Sequence, residues 1–269
     1  MAKAHTTYHY HYNAHGHALS GEVLRPFHET IEVQAAMSLP TRGGYGSARV
    51  ENFRLKGAVS FRSASTQVMG SFDTHSKSHT TLVSTTIEGL NFLDMVTADR
   101  IVMRLASHFH LDNDAAPPVV DKEPHILALG SHFVNLRIAG CPVRVEFDHE
   151  LFLRIDTFEA LRKELDSNAG FRKMALDPYH TGHPQDPPKE CGVVLCSLVK
   201  DIQIDCPGVT RKGHVLTVPE FGKVYVAELI AEHSRRTLTM LRFELGSPGA
   251  GGGTACSGQS NGQPYPPKP

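Results

Sequence analysis

The sequence predicts a mainly β protein with a single domain, built as an irregular β-solenoid or a two-sheet β-sandwich with a short inserted α-helical hairpin. Hydrophobic residues alternate with polar ones at a period of two, which is typical of half-buried strands. Gly, Pro, Asn and Asp interrupt these alternating runs and indicate turns. With 40% hydrophobic residues among 269, the chain can build a buried core.

The alternation is clearest over residues 97–109. Ile101, Met103 and Leu105 share one parity, whereas Arg100 and Arg104 share the other. Because successive side chains of a strand point to opposite faces, this pattern predicts one buried and one solvated face. Further strand-like runs lie at residues 31–35, 136–138, 143–147, 215–218, 224–230 and 238–245. Turn residues separate them at 40–46, 139–142, 205–208 and 219–222.

One segment has helical spacing instead. Its apolar residues are Phe158, Leu161 and Leu165. Asp156 stands three residues before Glu159, which resembles a capping box at a helix start. We therefore predict a helical insertion over about residues 156–178. A proline-rich loop at 177–190 follows it, since proline cannot continue a helix.

The domain boundary is predicted near the end of the sequence. Residues 1–246 form the β-rich domain, which includes the helical insertion. Residues 247–269 are rich in Gly and Pro, a composition typical of flexible or extended segments. We therefore expect a C-terminal tail whose end is unfolded.

Four segments share a rhythm of apolar and polar residues that runs into a Gly or an Asp. They are residues 50–57, 87–94, 133–140 and 198–205. A solenoid with long insertions would produce such a rhythm. Hairpins that reuse the same turn residues would also produce it, because Gly, Asn and Asp recur at strand ends. The sequence leaves both explanations open.

Three segments resemble a known family. They are IEGLNFLDMVTADRI at 87–101, SHFVNLRIAGCPV at 131–143 and VPEFGKVYVAE at 218–228. In composition and order these segments are similar to motifs of the bacterial proteins grouped as choice-of-anchor P. The resemblance implies a β-rich, surface-associated bacterial protein without assigned chemistry. It therefore supplies no catalytic residues.

Charge and hydropathy indicate which partners to expect. The 27 Lys and Arg residues nearly balance the 28 Asp and Glu residues. Nucleic-acid binding draws on clustered excess basic charge, so we expect no nucleic acid as partner. The apolar runs are shorter than a membrane-spanning helix requires, so we expect no membrane span. The first residues do not resemble a signal peptide, which favours the cytoplasm, whereas the family resemblance favours a surface location.

The cysteine content predicts reduced thiols. Five cysteines are an odd number, so complete pairing within one chain is excluded. Unpaired thiols persist in reducing compartments. The alternative is a disulfide among Cys191, Cys196 and Cys206.

Histidine is unusually frequent, with 17 residues. Four lie close together near the start, at His9, His11, His15 and His17. Neutral imidazole suits Zn, Ni or Cu, so we predict these four as candidate metal ligands. The alternative is a strand with its tyrosine face, at Tyr8, Tyr10 and Tyr12, buried and its histidine face exposed to water.

A second group of candidate ligands lies in the proline-rich loop and directly after it. It consists of His180, His183, Cys191 and Cys196. Imidazole and thiolate are both ligands that zinc accepts. The alternative is that the histidines lie in a loop and the cysteines in the core, because free cysteine is often a small buried apolar residue.

The sequence contains no G-x-S-x-G, P-loop or H-E-x-x-H motif. We therefore predict no catalytic residues and no resident cofactor. The leading hypothesis is a non-enzymatic structural, assembly or surface-associated protein. Its N-terminal strand, residues 6–12, would pair with an exposed edge of its own or a neighbouring subunit, and pairing with a neighbour would form a homo-oligomer. The alternatives are a module that binds a divalent metal through the N-terminal histidines and an enzyme acting on polysaccharide.

Overall fold

A computed structural model describes residues 9–111, 123–176 and 192–265. In these ranges the chain forms eighteen strands and three helices. The strands are β1 His9–Arg25, β2 Glu29–Gln34, β3 Met37–Ser38, β4 Gly44–Leu55, β5 Val59–Asp73, β6 Ser78–Phe92, β7 Val96–His110, β8 His125–Leu127, β9 His132–Val134, β10 Arg137–Ile138, β11 Cys141–Phe147, β12 Val193–Ser197, β13 Val199–Ile204, β14 Thr210–Lys212, β15 Val215–Val218, β16 Gly222–Glu232, β17 Arg236–Leu245 and β18 Ala250–Tyr265. The helices are α1 His149–Arg154, α2 Phe158–Ser167 and α3 Ala169–Leu176.

The strands belong to two antiparallel sheets. Sheet A has the order β14-β15-β16-β17-β18-β1-β2, with β12 beside β16 and β3 beside β1. Sheet B has the order β13-β11-β10-β7-β6-β5-β4, with β8 and β9 beside β7. The prediction of a mainly β fold is therefore confirmed. Long antiparallel hairpins are typical of a sandwich, whereas a β-solenoid stacks parallel rungs, so the pairing favours the sandwich alternative.

The core lies between the two sheets. β1 packs against β5 and β6, and β18 packs against β6 and β7. The rings of Phe92 and Phe243 stack from opposite sheets with their centroids 4.3 Å apart. Glycine brings the sheets close together, since a Cβ on Gly16 would lie 2.9 Å from Val83 Cγ2. Over β7 the predicted alternation is confirmed, because Ile101, Met103 and Leu105 are buried whereas Arg100 and Arg104 are exposed.

A row of backbone kinks crosses each sheet. At this row, one residue in each of the alternate strands has a positive φ. The residues concerned are Ala227 and Cys256 in sheet A and Asn52 and Gly89 in sheet B. The pairing register continues through each row without a shift. In β1, which borders Cys256, the neighbours Ala18 and Leu19 are both fully buried. Before the kink row the even-numbered residues of β1 face the core, and after it the odd-numbered residues do.

The same geometry explains the rhythm shared by the four similar segments. Three of them, residues 50–57, 87–94 and 133–140, have a positive-φ residue at their third position and end in a tight turn. The positive-φ turn residues are Lys56 and Gly57, Leu93 and Asp94, and Ala139 and Gly140. Two successive positive-φ residues are the signature of the turns that β-hairpins prefer. The rhythm therefore reflects reused hairpin geometry, while residues 198–205 have no positive φ and do not share it.

The three helices lie between β11 and β12, as the predicted insertion requires. The apolar residues used for that prediction, Phe158, Leu161 and Leu165, are buried. The helical region begins earlier than predicted, because the Asp148 carboxylate accepts a hydrogen bond from Leu151 N and caps α1. Thr157, rather than Asp156, caps α2 by accepting from Ala160 N. The loop at 177–190 lies outside the described residues. Within the described ranges, each helix is too short or too polar to cross a membrane.

The prediction of a flexible C-terminal tail is wrong for residues 250–265. They form β18, which lies in the middle of sheet A between β17 and β1. The glycines that suggested flexibility serve close packing instead. A Cβ on Gly252 would lie 2.8 Å from Phe243 O, and one on Gly253 would lie 2.8 Å from Ser20 O.

The N-terminal strand is an inner strand of sheet A. β1 pairs with β18 along one side and with β2 and β3 along the other. Near its start, Tyr12 N donates to Thr41 O at 2.9 Å on that second side. Residues 9–12 of the predicted pairing strand therefore pair with β18 of the same chain. The homo-oligomer itself stays a prediction.

Candidate functional site

The N-terminal histidines lie on the outer face of sheet A. They are His9, His11, His15 and His17, at alternate positions of β1. Tyr10 and Tyr12 point to the inner face, where the Tyr10 ring stacks on His79 at 4.0 Å. The predicted division into a histidine face and a tyrosine face is therefore confirmed. The His11 ring stacks on Tyr265 with centroids 4.6 Å apart.

His17 is engaged by two hydroxyl groups. Its Nε2 lies 2.9 Å from Ser20 Oγ and 3.0 Å from Thr254 Oγ1. The two hydroxyl oxygens are themselves 3.0 Å apart, so the three groups form a closed triangle. Burial lowers the pKa of His17, and the neighbouring His15 lowers it further. This ring is therefore neutral at pH 7 and hydrogen-bonded within the sheet.

The described part of the chain contains no group of three or more His, Cys, Asp or Glu residues already placed to hold a metal ion. Three of the second set of predicted ligands, His180, His183 and Cys191, lie outside the described residues. The fourth, Cys196, is fully buried, and burial raises the pKa of its thiol to about 12. Since the thiolate is the ligand form, Cys196 is a core residue rather than a ready metal ligand.

Cys141 and Cys206 form a disulfide, with their Cα atoms 5.7 Å apart. Cys196 and Cys256 are free and buried. The prediction of reduced thiols is therefore wrong for this pair, and the alternative pairing named the wrong partner for Cys206. The physical reason is strand pairing: Val143 of β11 lies opposite Ile204 of β13, which brings together two cysteines 65 residues apart.

A group of histidines that the sequence analysis missed lies on the outer face of sheet B. His108 and His110 flank the buried Phe109 on β7 and point outward. His125 of β8 lies directly opposite His108 in the antiparallel pairing. The rings of His110 and His125 have their centroids 6.3 Å apart. We call His108, His110 and His125 the β7–β8 histidine patch.

Two rings of this patch have an Nδ1 partner. His125 Nδ1 lies 2.6 Å from Asp156 Oδ2, and His108 Nδ1 lies 3.0 Å from Thr80 Oγ1. Burial lowers the pKa of His108, and His110 and His125 lower it further. A carboxylate at Nδ1 favours the tautomer with a proton there. Nε2 of His125 then carries the lone pair, which can accept a proton or bind a metal.

His125 also lines a cleft of about 970 Å3 beside α2. Glu123 lines the same cleft, and its carboxylate accepts the backbone N–H groups of Phe158 and Glu159 at the start of α2. The buried Arg236 guanidinium lies 3.5 Å from the same carboxylate. These contacts anchor the helix to sheet A and place charged side chains at the cleft wall. The cleft is also lined by Arg162, Lys163 and His233.

Sequence reasoning missed this site for a definable reason. The sequence predicts Asp156 as a helix cap, whereas in the structure its carboxylate contacts His125, 31 residues earlier. The spacing His108-x-His110 was a local signal, because alternate residues of a strand share a face. The third histidine becomes a neighbour only when β8 pairs with β7.

A second polar cluster lies on the outer face of sheet A. The Arg242 guanidinium donates to both carboxylate oxygens of Glu228 at 2.6 and 2.9 Å. It also lies over the Tyr225 ring, 3.5 Å from the centroid, and Tyr225 OH donates to Glu244 at 2.7 Å. These charges bind one another across β16 and β17. The cluster therefore strengthens the sheet.

Comparison with known proteins places the chain in a family. A family model described as a domain of unknown function (DUF8256) matches residues 9–181 and 161–232, and the first range alone exceeds half of the chain. No curated protein and no solved structure matches the chain.

Proposed function

The chain belongs to the family of the domain of unknown function DUF8256, and from that premise we propose a non-enzymatic structural role in an oxidising compartment, at the cell surface. The observation that carries the proposal is the Cys141–Cys206 disulfide. Disulfides form and persist in oxidising environments and are rare where thiols are kept reduced. A paired cysteine in a chain of this size therefore favours an extracytoplasmic setting.

The position of the disulfide fits a structural role. β13 is the outermost strand of sheet B on one side and pairs there with β11. Edge strands expose unpaired backbone groups and are a route to aggregation. The disulfide joins the start of β11 to the loop after β13, so it keeps the edge strand attached to its neighbour. Such a link suits a protein that must stay folded at a surface.

The resemblance to choice-of-anchor P proteins supports the same proposal. It implies a β-rich protein associated with a bacterial surface, and two of the resembling segments, residues 87–101 and 131–143, lie in sheet B and its connections. The long hairpins of β5, β6 and β7 bury a continuous core against sheet A. A rigid frame of this kind suits a load-bearing or spacing role.

The test is the redox state of the protein taken from its own cells. Cells are quenched in acid, free thiols are alkylated under denaturing conditions, and the labelled cysteines are identified by mass spectrometry. We expect Cys141 and Cys206 to be labelled only after reduction, whereas Cys196 and Cys256 are labelled without it. Fractionation of the same cells is expected to recover the protein with surface material.

The buried free thiols serve as the internal control, because their labelling shows that denaturation was complete. Recovery of the protein with Cys141 and Cys206 both alkylated before reduction would contradict an oxidising compartment. Recovery in the cytoplasmic fraction would contradict the surface location.

A further inference from the structure

We propose that the β7–β8 histidine patch binds one divalent transition-metal ion, with Zn2+ as the reference case, through the Nε2 atoms of His108, His110 and His125. This inference concerns different residues from the N-terminal histidines and is independent of the proposed structural role. Three imidazoles with a water molecule are an established ligand set for zinc.

Strand geometry places the three side chains on one surface. His108 and His110 are two residues apart on β7, so they share the outer face, while Phe109 between them is 2% exposed and faces the core. His125 is the direct cross-strand partner of His108. Directly opposed residues have their Cβ atoms about 4.5–5.5 Å apart, within the reach of two imidazoles that share an ion.

The contacts at Nδ1 prepare two of the rings for ligation. Metal-binding histidines commonly donate their second ring N–H to a carboxylate or another oxygen acceptor, which fixes the ring and its tautomer. Asp156 is positioned to do this for His125 at 2.6 Å, and Thr80 contacts His108 at 3.0 Å. Both contacts engage Nδ1 and leave Nε2 as the ligating atom. The Asp156 carboxylate also offsets part of the charge that an ion would bring.

One side chain has to turn for the site to close. As the side chains stand, three donors do not converge within the described residues. The His110 and His125 rings are 6.3 Å apart between centroids and are inclined by 70°. His110 is exposed at the end of β7, so its ring can exchange between staggered rotamers without repacking the core. Ligand nitrogens at about 2.0–2.1 Å from zinc then become reachable from both strands.

The N-terminal histidines lack this preparation. His17 Nε2, the atom that would bind a metal, already contacts Ser20 and Thr254. The His11 ring is stacked on Tyr265. A metal bound through Nε2 of His17 would displace the Ser20 and Thr254 hydroxyls, whereas a metal at the patch would keep the Nδ1 contacts of His108 and His125. The patch is therefore the better-prepared site.

The experiment is calorimetric titration of the metal-free full-length protein with ZnCl2. We expect one ion per chain in the wild-type protein. His110→Ala and His125→Ala are each expected to weaken binding at least tenfold, because each removes a ligand. Asp156→Asn is expected to weaken it by about 10- to 100-fold while leaving all three ligands in place.

The matched control is the double variant His9→Ala/His11→Ala, which removes two histidines from β1 and is expected to bind like the wild-type protein. Thermal unfolding of each metal-free variant checks that the fold is kept. Imidazole 15N spectra supply a second measurement, in which Zn2+ is expected to shift Nε2 of His110 and His125. Absence of stoichiometric binding, or binding that survives both patch variants, or binding lost in the β1 double variant, would overturn the proposal.

Discussion

His79 is a half-buried histidine surrounded by aromatic rings at one end of the core. The Tyr10 ring stacks on it, Phe72 lies 4.7 Å away between centroids, and Tyr12 OH lies 2.8 Å from its Nδ1. Burial lowers the pKa of His79 from 6.5 to about 4. The native state therefore favours the neutral ring, whose Nδ1 can accept a hydrogen bond from the Tyr12 hydroxyl.

This shift predicts a loss of stability in acid. The unfolded chain binds a proton at His79 near pH 6.5, whereas the folded chain binds it only near pH 4. The contribution is therefore present above pH 6.5 and is lost as the pH falls to about 4. Since the ring is half-exposed, we expect about 1–2 kcal/mol after allowance for solvent screening.

The measurement is urea unfolding at pH 7, 5.5 and 4 for the wild-type protein and His79→Gln. Other histidines titrate in both proteins, so the difference between the two curves isolates His79. We expect the variant to lose less free energy of unfolding between pH 7 and pH 4. Parallel curves would show that His79 does not contribute.

Gly16 illustrates how closely the two sheets approach. A Cβ at this position would lie 2.9 Å from Val83 Cγ2 in sheet B and 3.0 Å from Ser257 O in sheet A. We expect Gly16→Ala to lower the free energy of unfolding by about 1–3 kcal/mol, because overpacking displaces neighbours. Gly192→Ala is the matched control, since among the described residues a Cβ there meets nothing within 4 Å apart from the adjacent residues of the chain, and its effect is expected within about 0.5 kcal/mol. Equal effects of the two substitutions would contradict the close approach.

At the scale of the element, β18 is a central strand whose removal should disrupt sheet A. A chain ended after Gly249 loses the strand that joins β17 to β1. We expect it to lack a cooperative thermal transition, because both neighbours would expose apolar side chains and unpaired backbone groups. A chain ended after Tyr265, which keeps all of β18, is the control. Far-UV circular dichroism and thermal melts compare them, and native-like melting of the shorter chain would refute the prediction.

Two strands, β7 and β18, show what the sequence could and could not predict. Period-two patterns identified β7 because its odd-numbered positions from Ile101 to Phe109 are buried, whereas Arg104 and His110 are exposed. β18 escaped detection because its buried positions are filled by small residues such as Ala255 and Cys256, so composition suggested a flexible segment. The kink rows add a second difficulty: at Ala18 and Leu19 two successive residues face the core, and simple alternation fails there.

For the whole molecule, the disulfide is expected to contribute to stability. It closes a loop of 65 residues that includes the three helices. The double variant Cys141→Ser/Cys206→Ser should lose about 2–4 kcal/mol of unfolding free energy, chiefly because the unfolded chain gains freedom. Denaturant unfolding measures this loss. Reducing agent should destabilise the wild-type protein and leave the double variant unchanged, and an equal effect on both would contradict the assignment.

The candidate site is formed only by the fold of the whole molecule. His125 and Asp156 come from β8 and the segment before α2, and Glu123 and Arg236 link that region to sheet A. Such neighbours depend on which strands pair, and pairing between distant segments leaves no mark in local composition. Fold class and helical insertion follow from local patterns, whereas the histidine patch and the Cys141–Cys206 pairing required the three-dimensional arrangement.

The position of β18 in the sequence constrains the order in which the two sheets can be completed during synthesis. Sheet B draws its strands from residues 44–204, so a ribosome delivers all of them before residue 250 emerges. β1 precedes the strands of sheet B in the sequence, whereas its long partner β18 follows all of them. The side of β1 that pairs with β18 therefore stays unpaired until β18 emerges, and sheet B provides the surface against which β18 docks.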